Sequence, residues 1–393
     1  ILIFFSLFIV LFRLFSKSKK NPYNFVFIYF LLVVPIFSIW FGFLQDSISR
    51  FVTDAKIPIY FFSGLVIFSS YYNRFPSKLK ISCQIFLALA AGSFLFDCIK
   101  LFLFYSDSLT STYSSLSYDS GKGLITIFTF YAIAKIIENK NLVFNLAIVL
   151  ISLYMMIAYQ TRWLIVTFIL GLILVSLLIG IRKTISKSIL LILFVSIFIP
   201  FLIQFNPEIF RIALIRFSFI DNLSDSLSLI DIEIVRASAI INSISLLWEN
   251  YALLTGMGYG SWYDDSYFPM LDLGDSTFDK GSLLSGRYYR VHDFFFHFLF
   301  KFGVIGTFLY IYAFIKPVRK LWQLRMYIRS NPFGLKITVI FFGLLPLVIT
   351  YMYWTGKGLL FGALFIVIAS EWVKFFKNQL ENKNFVNHNI FLK

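Results

Sequence analysis

Apolar runs of roughly 15–23 residues recur along this chain, close to the length a helix needs to cross a bilayer. A bilayer core takes about 20 helical residues at 1.5 Å rise each. Inside it, only helices or closed barrels pair every backbone polar group. These runs are continuous rather than alternating in ten-residue segments, which selects helices over strands. With 59% hydrophobic residues, 20% aromatic residues and a mean hydropathy of +0.81, the 393 residues lack the polar surface a soluble fold requires. There is no GxGxxG-bearing βαβ unit and no P-loop. Cys83 and Cys98 fall in one apolar run, too far apart along a helix to be bridged.

The expected fold is therefore all-α, a polytopic helical bundle forming one membrane domain over 1–393. Eleven spans are expected: Ile1–Phe15, Phe25–Phe43, Ile57–Tyr71, Ile81–Phe96, Leu124–Ile137, Leu142–Tyr159, Trp163–Ile181, Ile189–Phe205, Asp293–Ile315, Ile337–Tyr353 and Leu359–Val373. Positive charge orients them. The connections at 16–24, 73–80, 138–141, 182–188, 316–336 and 374–393 hold 20 Lys/Arg in 69 residues. The alternate set, at 44–56, 106–123, 160–162, 206–292 and 354–358, holds 11 in 126. Lysine and arginine collect on the cytoplasmic side. This makes the chain a multi-pass plasma (inner) membrane protein with a cytoplasmic C-terminus and the large 206–292 loop outside. Ile1 then falls outside; a further span ahead of it would give twelve with both ends inside, and a short first span is the alternative. The net charge of +15 follows from these short basic loops and gives no argument for nucleic acid.

A connection as long as 206–292 is uncommon unless it is functional or disordered. Ile234, Ala237, Ile240, Ile241, Ile244, Leu247, Trp248 and Tyr251 recur at helical spacing, which predicts an amphipathic helix on the membrane or the bundle. Gly256, Gly258 and Gly260 follow it. Coming after a helix rather than a strand, they fail the context test for a dinucleotide site but allow tight turning and close backbone approach. Five aspartates lie between Asp264 and Asp279, read as a solvated loop with a divalent-ion site as the alternative.

Three residues stand out for chemistry. Arg162 sits in the short external hairpin Tyr159–Trp163, Arg236 in the amphipathic helix, and His292 where the loop meets the next span. The structural alternatives are a snorkelling anchor for Arg162, a surface charge for Arg236 and a hydrogen-bonded interfacial imidazole for His292. His297 reads as a packed histidine, and Asp97 with Lys100 as a stabilising pair one helical turn apart.

Taken in order, these features resemble the O-antigen polymerase and O-antigen ligase family of bacterial envelope glycosyltransferases. His292-Asp293, nine residues, then Gly303-Val-Ile-Gly306 is similar to that family's His-[Asn/Ser/Gln]-x9-Gly-x-x-Gly pattern, with Asp293 departing at the second position. Arg236, Trp248 and the Gly256–Gly260 turn, together with Thr161-Arg162, match weaker elements. The resemblance implies a C-type glycosyltransferase architecture. It also implies metal-independent transfer, without a cofactor, of a glycan from polyprenyl pyrophosphate to an acceptor hydroxyl outside the membrane. Arg162, Arg236, Arg287 and Arg290 would hold the pyrophosphate and His292 would act as base, with Asp293, Gly256, Gly258, Gly260, Gly303 and Gly306 in support. Expected partners are the lipid-linked oligosaccharide, membrane lipid, a flippase and a chain-length regulator. A repeat-unit polymerase is the favoured activity, a ligase to lipid A core the alternative and a transporter the remoter one.

Overall fold

A computed structural model of the chain describes residues 26, 28–41, 48–75, 78–103, 121–158, 162–180, 223–270, 280–291, 293–350 and 362–378. A π-helical turn at Tyr29–Val33 runs into α1 (Val34–Trp40). Then come α2 (Ile48–Arg74), α3 (Lys78–Leu103), α4 (Gly121–Ile137), α5 (Leu142–Ala158), α6 (Arg162–Ile179), α7 (Leu223–Glu249), α8 (Lys280–Ser285), α9 (Phe294–Gln323), α10 (Arg325–Ser330) and α11 (Pro332–Thr350). A last helix, α12, covers 362–378. Among the described residues the extended pairing is a single antiparallel bridge, Tyr263 with Tyr288.

The architecture is thus helical, and among the described residues three helices are long and apolar enough to cross a membrane, at Ile48–Ser69, Lys78–Ile99 and Phe295–Gln323. Shorter apolar helices occupy Tyr29–Trp40, Leu124–Ile137, Leu142–Met156, Leu164–Ile179 and Gly334–Thr350. The expected spans Ile1–Phe15 and Ile189–Phe205 lie outside the described residues, and the span expected at Leu359–Val373 overlaps α12. On α3, Ile81, Ile85, Leu89, Leu95, Phe96 and Ile99 are all exposed. A flank that apolar and continuous is suited to hydrocarbon rather than water. Pro58, Pro317 and Pro346 lie inside helices, as membrane helices tolerate.

The chain divides into two compact units, the first being Ile1–Ile67, Phe219–Ile315 and Tyr353–Ala363, the second Phe68–Ser218, Lys316–Met352 and Leu364–Lys393. In the second unit α4 packs on α3, α5 and α11, and α6 packs on α11. Glycines set that last crossing. A methyl at Gly171 would strike the Gly343 carbonyl, and the Phe130 ring lies against both positions. Such small residues let apolar helices gain contact where lipid offers no hydrophobic drive. α4 closes on Asn139 in the left-handed region (φ 58), with Lys140 N–H donating to Lys135 O (3.0 Å) and Asn139 N–H to Ile136 O (3.0 Å). Such a two-bond stop pairs carbonyls the helix end would leave open. Glu138 beside it meets Lys336 at 3.3 Å and Lys140 at 3.7 Å.

In the first unit α7 supplies the predicted helix, and its expected apolar stripe is divided between two faces. Val235, Ala239 and Leu247 turn into a core with Met257, Tyr263, Tyr288, Val291 and Phe300. Of the expected apolar stripe, Leu247 joins this core and Ile240 packs against it, whereas Ile234, Ile241, Trp248 and Tyr251 are exposed. The helix carries an apolar row on each side, and the inner row uses smaller side chains. Its end is another two-bond stop. Tyr251 adopts φ 52, its N–H donates to Trp248 O (3.1 Å), and Ala252 N–H donates to Leu247 O (2.8 Å). That reversal sends residues 252–261 back against α9.

Candidate functional site

α9 begins on Asp293, whose carboxylate accepts the Phe296 N–H at 3.1 Å while its carbonyl accepts the His297 N–H at 2.9 Å. This is an N-cap: it pairs donors that the first helical turn leaves open. Nine residues on, the helix breaks. Gly303 has φ 64 and ψ −173, a backbone region essentially reserved for glycine.

A break in an apolar helix frees carbonyls on one side and amides on the other, and residues 253–258 take them up. Met257 and Gly258 N–H donate to the carbonyls of Phe300 (2.8 Å) and Lys301 (2.9 Å). Val304 and Ile305 N–H donate to those of Leu253 (3.0 Å) and Leu254 (3.1 Å). The Tyr29 hydroxyl donates to Phe302 O (2.9 Å), and the Thr307 hydroxyl to Gly303 O (2.7 Å). The two glycine motifs therefore form one joint. A methyl at Gly256 would strike the amides of Gly303 and Phe302, and one at Gly303 the Leu254 carbonyl. Gly306 faces Tyr29, Gly258 faces Ser38, and Gly260 approaches Phe51.

Beside the joint lies an ion pair absent from the sequence-based expectations. Lys301 is fully enclosed; its Nζ meets Asp54 Oδ2 at 2.7 Å and donates to Ser261 O at 2.7 Å. The same Asp54 oxygen accepts the Gly260 N–H at 2.8 Å. One carboxylate thus ties α2 and the glycine turn to α9. Tyr259, between the glycines, is fully buried. Burial, reinforced by the Asp54 charge, pushes its phenol well above the usual range, so it stays a donor to Phe30 O (2.7 Å). Its amide donates to Ser38 Oγ at 2.6 Å.

The Tyr263–Tyr288 bridge organises the cationic residues. Both tyrosines turn inward, stacked 5.7 Å apart. Burial raises the Tyr263 phenol, which donates to Arg290 O at 2.8 Å. Alternation along an extended ribbon puts Trp262, Arg287 and Tyr289 on the opposite face. There Arg287 lies 4.6 Å over the Trp262 ring, and Arg50, from the first turn of α2, lies 4.6 Å over the Tyr289 ring.

Of the residues expected to carry chemistry, Arg287 and Arg290 both lie on this ribbon, on opposite faces by its alternation, with Arg290 exposed three residues before the Asp293 cap. His292 lies outside the described residues; Val291 and Asp293 on either side of it are described. Arg236 is exposed on α7. Arg162 opens α6 in the second unit, and its side chain lies outside the described residues, as does that of Lys100. His297 is buried, its Nδ1 accepting the Val291 N–H at 3.3 Å, the packed histidine the sequence indicated. In the acidic stretch, Asp264 holds Ser266 through its amide (3.2 Å) and hydroxyl (2.6 Å), and 271–279 lie outside the described residues. Among the described residues no group of three His, Cys, Asp or Glu could hold a metal ion.

Sequence reasoning passed over Lys301, Asp54 and Arg50. Lys301 had a signal: it is a charge in the middle of an apolar run, where ionisable groups are rare and usually paired. Arg50 had none. Comparison of the chain with protein-family models, curated proteins and solved structures finds no match.

Proposed function

We propose that this membrane protein is a glycosyltransferase that extends a lipid-linked polysaccharide, moving glycan from polyprenyl pyrophosphate to a sugar hydroxyl of a second lipid-linked unit. The observation that carries the reading is the arrangement of 287–293. Arg287 and Arg290 lie on a ribbon that feeds directly into the capped start of an apolar helix, and His292 occupies the one position between Val291 and that cap.

The chemistry suits these groups. A departing pyrophosphate gains charge, and guanidinium groups bind its oxygens bidentately. In a partly desolvated site, removing one such stabiliser costs about 2.7–4 kcal/mol. The acceptor hydroxyl has a high pKa, so a neutral imidazole at His292 taking its proton contributes roughly 10²–10⁴-fold. Arg236, in the same unit as the ribbon, remains in the proposed clamp.

The cap also bears on Asp293, the departure from the His-[Asn/Ser/Gln] pattern. A carboxylate beside an anionic donor is unfavourable if it faces the substrate. Here it accepts an amide of its own helix, a task asparagine, serine and aspartate perform about equally. The substitution is therefore compatible with the resemblance.

The break at Gly303 and the buried Lys301–Asp54 pair favour a second reading, transport, because discontinuous helices with midplane charge mark many transporters. Against it, residues 253–258 fill the break and Lys301 is wholly enclosed. The joint is packed.

One experiment separates these readings. Purified protein given only lipid-linked repeat units is expected to build a ladder of longer lipid-linked glycans, and the His292→Ala variant to build none at normal protein abundance. Transfer only when lipid A core is added identifies a ligase instead. Uptake of the repeat unit into vesicles without any new glycosidic bond identifies a transporter.

A further inference from the structure

Where α7 ends and the chain reverses, Trp248 (73%), Tyr251 (94%) and Leu254 (59%) stand exposed. Single apolar residues at a surface need no explanation, but a contiguous group marks an interaction surface. This group runs on into α9. The Val304 N–H donates to Leu253 O at 3.0 Å and the Ile305 N–H to Leu254 O at 3.1 Å, so the reversal lies against α9 just past its break. From that point α9 presents Ile305, Phe308 and Tyr312, all exposed, with the last two rings stacked. α9 is long and apolar enough to cross a membrane, and an exposed apolar flank on such a helix is the surface it turns to lipid. Leu254 extends that flank.

Depth follows from the same hydrogen bonds. Ile305 stands ten residues before Ile315, the last apolar residue ahead of Lys316. At 1.5 Å per residue that is about 15 Å, half of a hydrocarbon core about 30 Å thick. A segment bonded to Ile305 therefore lies at the level of acyl chains. Lipid admits irregular backbone only where its polar groups are paired within the protein, and this segment meets that demand. The N–H groups of Tyr251, Ala252, Gly256, Met257 and Gly258 donate to the carbonyls of Trp248, Leu247, Ala252, Phe300 and Lys301, while those of Leu253 and Leu254 accept from α9. Tyr251 adds an independent sign. The left-handed stop at a helix end suits glycine or asparagine and is costly for a bulky side chain. Tyr251 holds it at φ 52 with its ring almost wholly exposed, so packing within the protein compensates little. Burial of the ring in a membrane does compensate, and tyrosine and tryptophan are the side chains favoured at membrane boundaries.

We propose that residues 248–254 are inserted into the bilayer that α9 crosses, with Leu254 among the acyl chains and Trp248 and Tyr251 nearer the headgroups. The partner is bulk lipid, in continuity with the flank of α9. Anchored there, the glycine turn and the ribbon that begins at Tyr263 are held close to the membrane surface. The insertion requires neither glycosyl transfer nor a particular orientation of the chain.

The test is spin labelling of full-length protein in nanodiscs, with Cys83 and Cys98 replaced by alanine. Single cysteines are placed at Leu254, Tyr251 and Trp248, at Phe308 as the lipid-facing reference and at Asp265, exposed in the acidic stretch, as the water-facing one. Each carries a nitroxide, and its collisions with oxygen, which concentrates in lipid, are compared with those of a water-soluble nickel chelate. The label at Leu254 is expected to match Phe308, with oxygen collisions high and nickel collisions lost. Labels at Tyr251 and Trp248 should fall between Phe308 and Asp265. Three separate sites guard against one variant that fails to fold, and thermal denaturation identifies such a variant. Nickel collisions at Leu254 equal to those at Asp265 overturn the insertion and place the reversal in water. Shielding of Leu254 from both reagents overturns it too, because a protein surface, such as a second copy of this chain, then covers the patch.

Discussion

Lys301 and Asp54 meet at 2.7 Å with the lysine wholly enclosed, a geometry in which removing one partner is worse than removing both. An enclosed charge left without its counter-ion costs about 3–5 kcal/mol, whereas replacing a buried pair by neutral groups is often close to neutral. Lys301→Met should therefore lower the thermal midpoint sharply. Lys301→Met with Asp54→Asn should restore much of the loss, because the asparagine oxygen still accepts the Gly260 N–H. A double variant as unstable as the sum of the singles, measured by thermal denaturation in detergent, would mean the pair acts through its charges elsewhere. At this scale the sequence was half readable. The lysine announces itself inside Phe-Leu-Phe-Lys-Phe-Gly, but its partner lies 247 residues away, and no spacing rule connects them. Asp293 was readable as a position but not as a cap, since capping depends on where a helix starts.

Glycines decide the element that matters most, α9. Gly303 adopts a conformation that costs of order 1–3 kcal/mol for other residues, and a methyl there would also strike Leu254. Gly303→Ala is expected to destabilise by about 3 kcal/mol or more and to loosen residues 253–258, read as faster hydrogen exchange at Met257, Gly258, Val304 and Ile305. Gly92→Ala on α3 provides the control, since nothing lies within 4 Å of a methyl there; it should be neutral or slightly stabilising. Equal effects of the two substitutions would show that the joint at Gly303 is not tight. Element existence was well marked in the sequence, because apolar length and helical pairing in lipid leave few alternatives. Two things were not. Both glycine motifs could be seen, but that they close on each other is a tertiary fact. On α7 the expected stripe splits, Leu247 and Ile240 toward the core and Ile234, Ile241 and Trp248 outward, a division that helical spacing alone does not show.

At the scale of the whole molecule, the charge count assigns sides to residues that touch within a unit. Glu138 and Lys336 come from connections assigned to the cytoplasmic side and meet in the second unit. Arg50 and Tyr289 come from connections assigned to the opposite side and meet in the first. Absolute orientation then rests on lysine and arginine density, which favours the inside for 316–336, and it is testable with single cysteines placed after Cys83 and Cys98 are replaced by alanine. The structure selects the sites. Ser282 is buried, whereas Leu284 is 90% exposed and Met326 68% exposed. Leu284→Cys should react with a membrane-impermeant thiol reagent in intact spheroplasts, and Met326→Cys only after lysis. The reverse pattern would put the ribbon, the Asp293 cap and His292 in the cytoplasm. A donor presented outside would then have no access to them, and the proposed polymerase would lose its site whatever its arginines do.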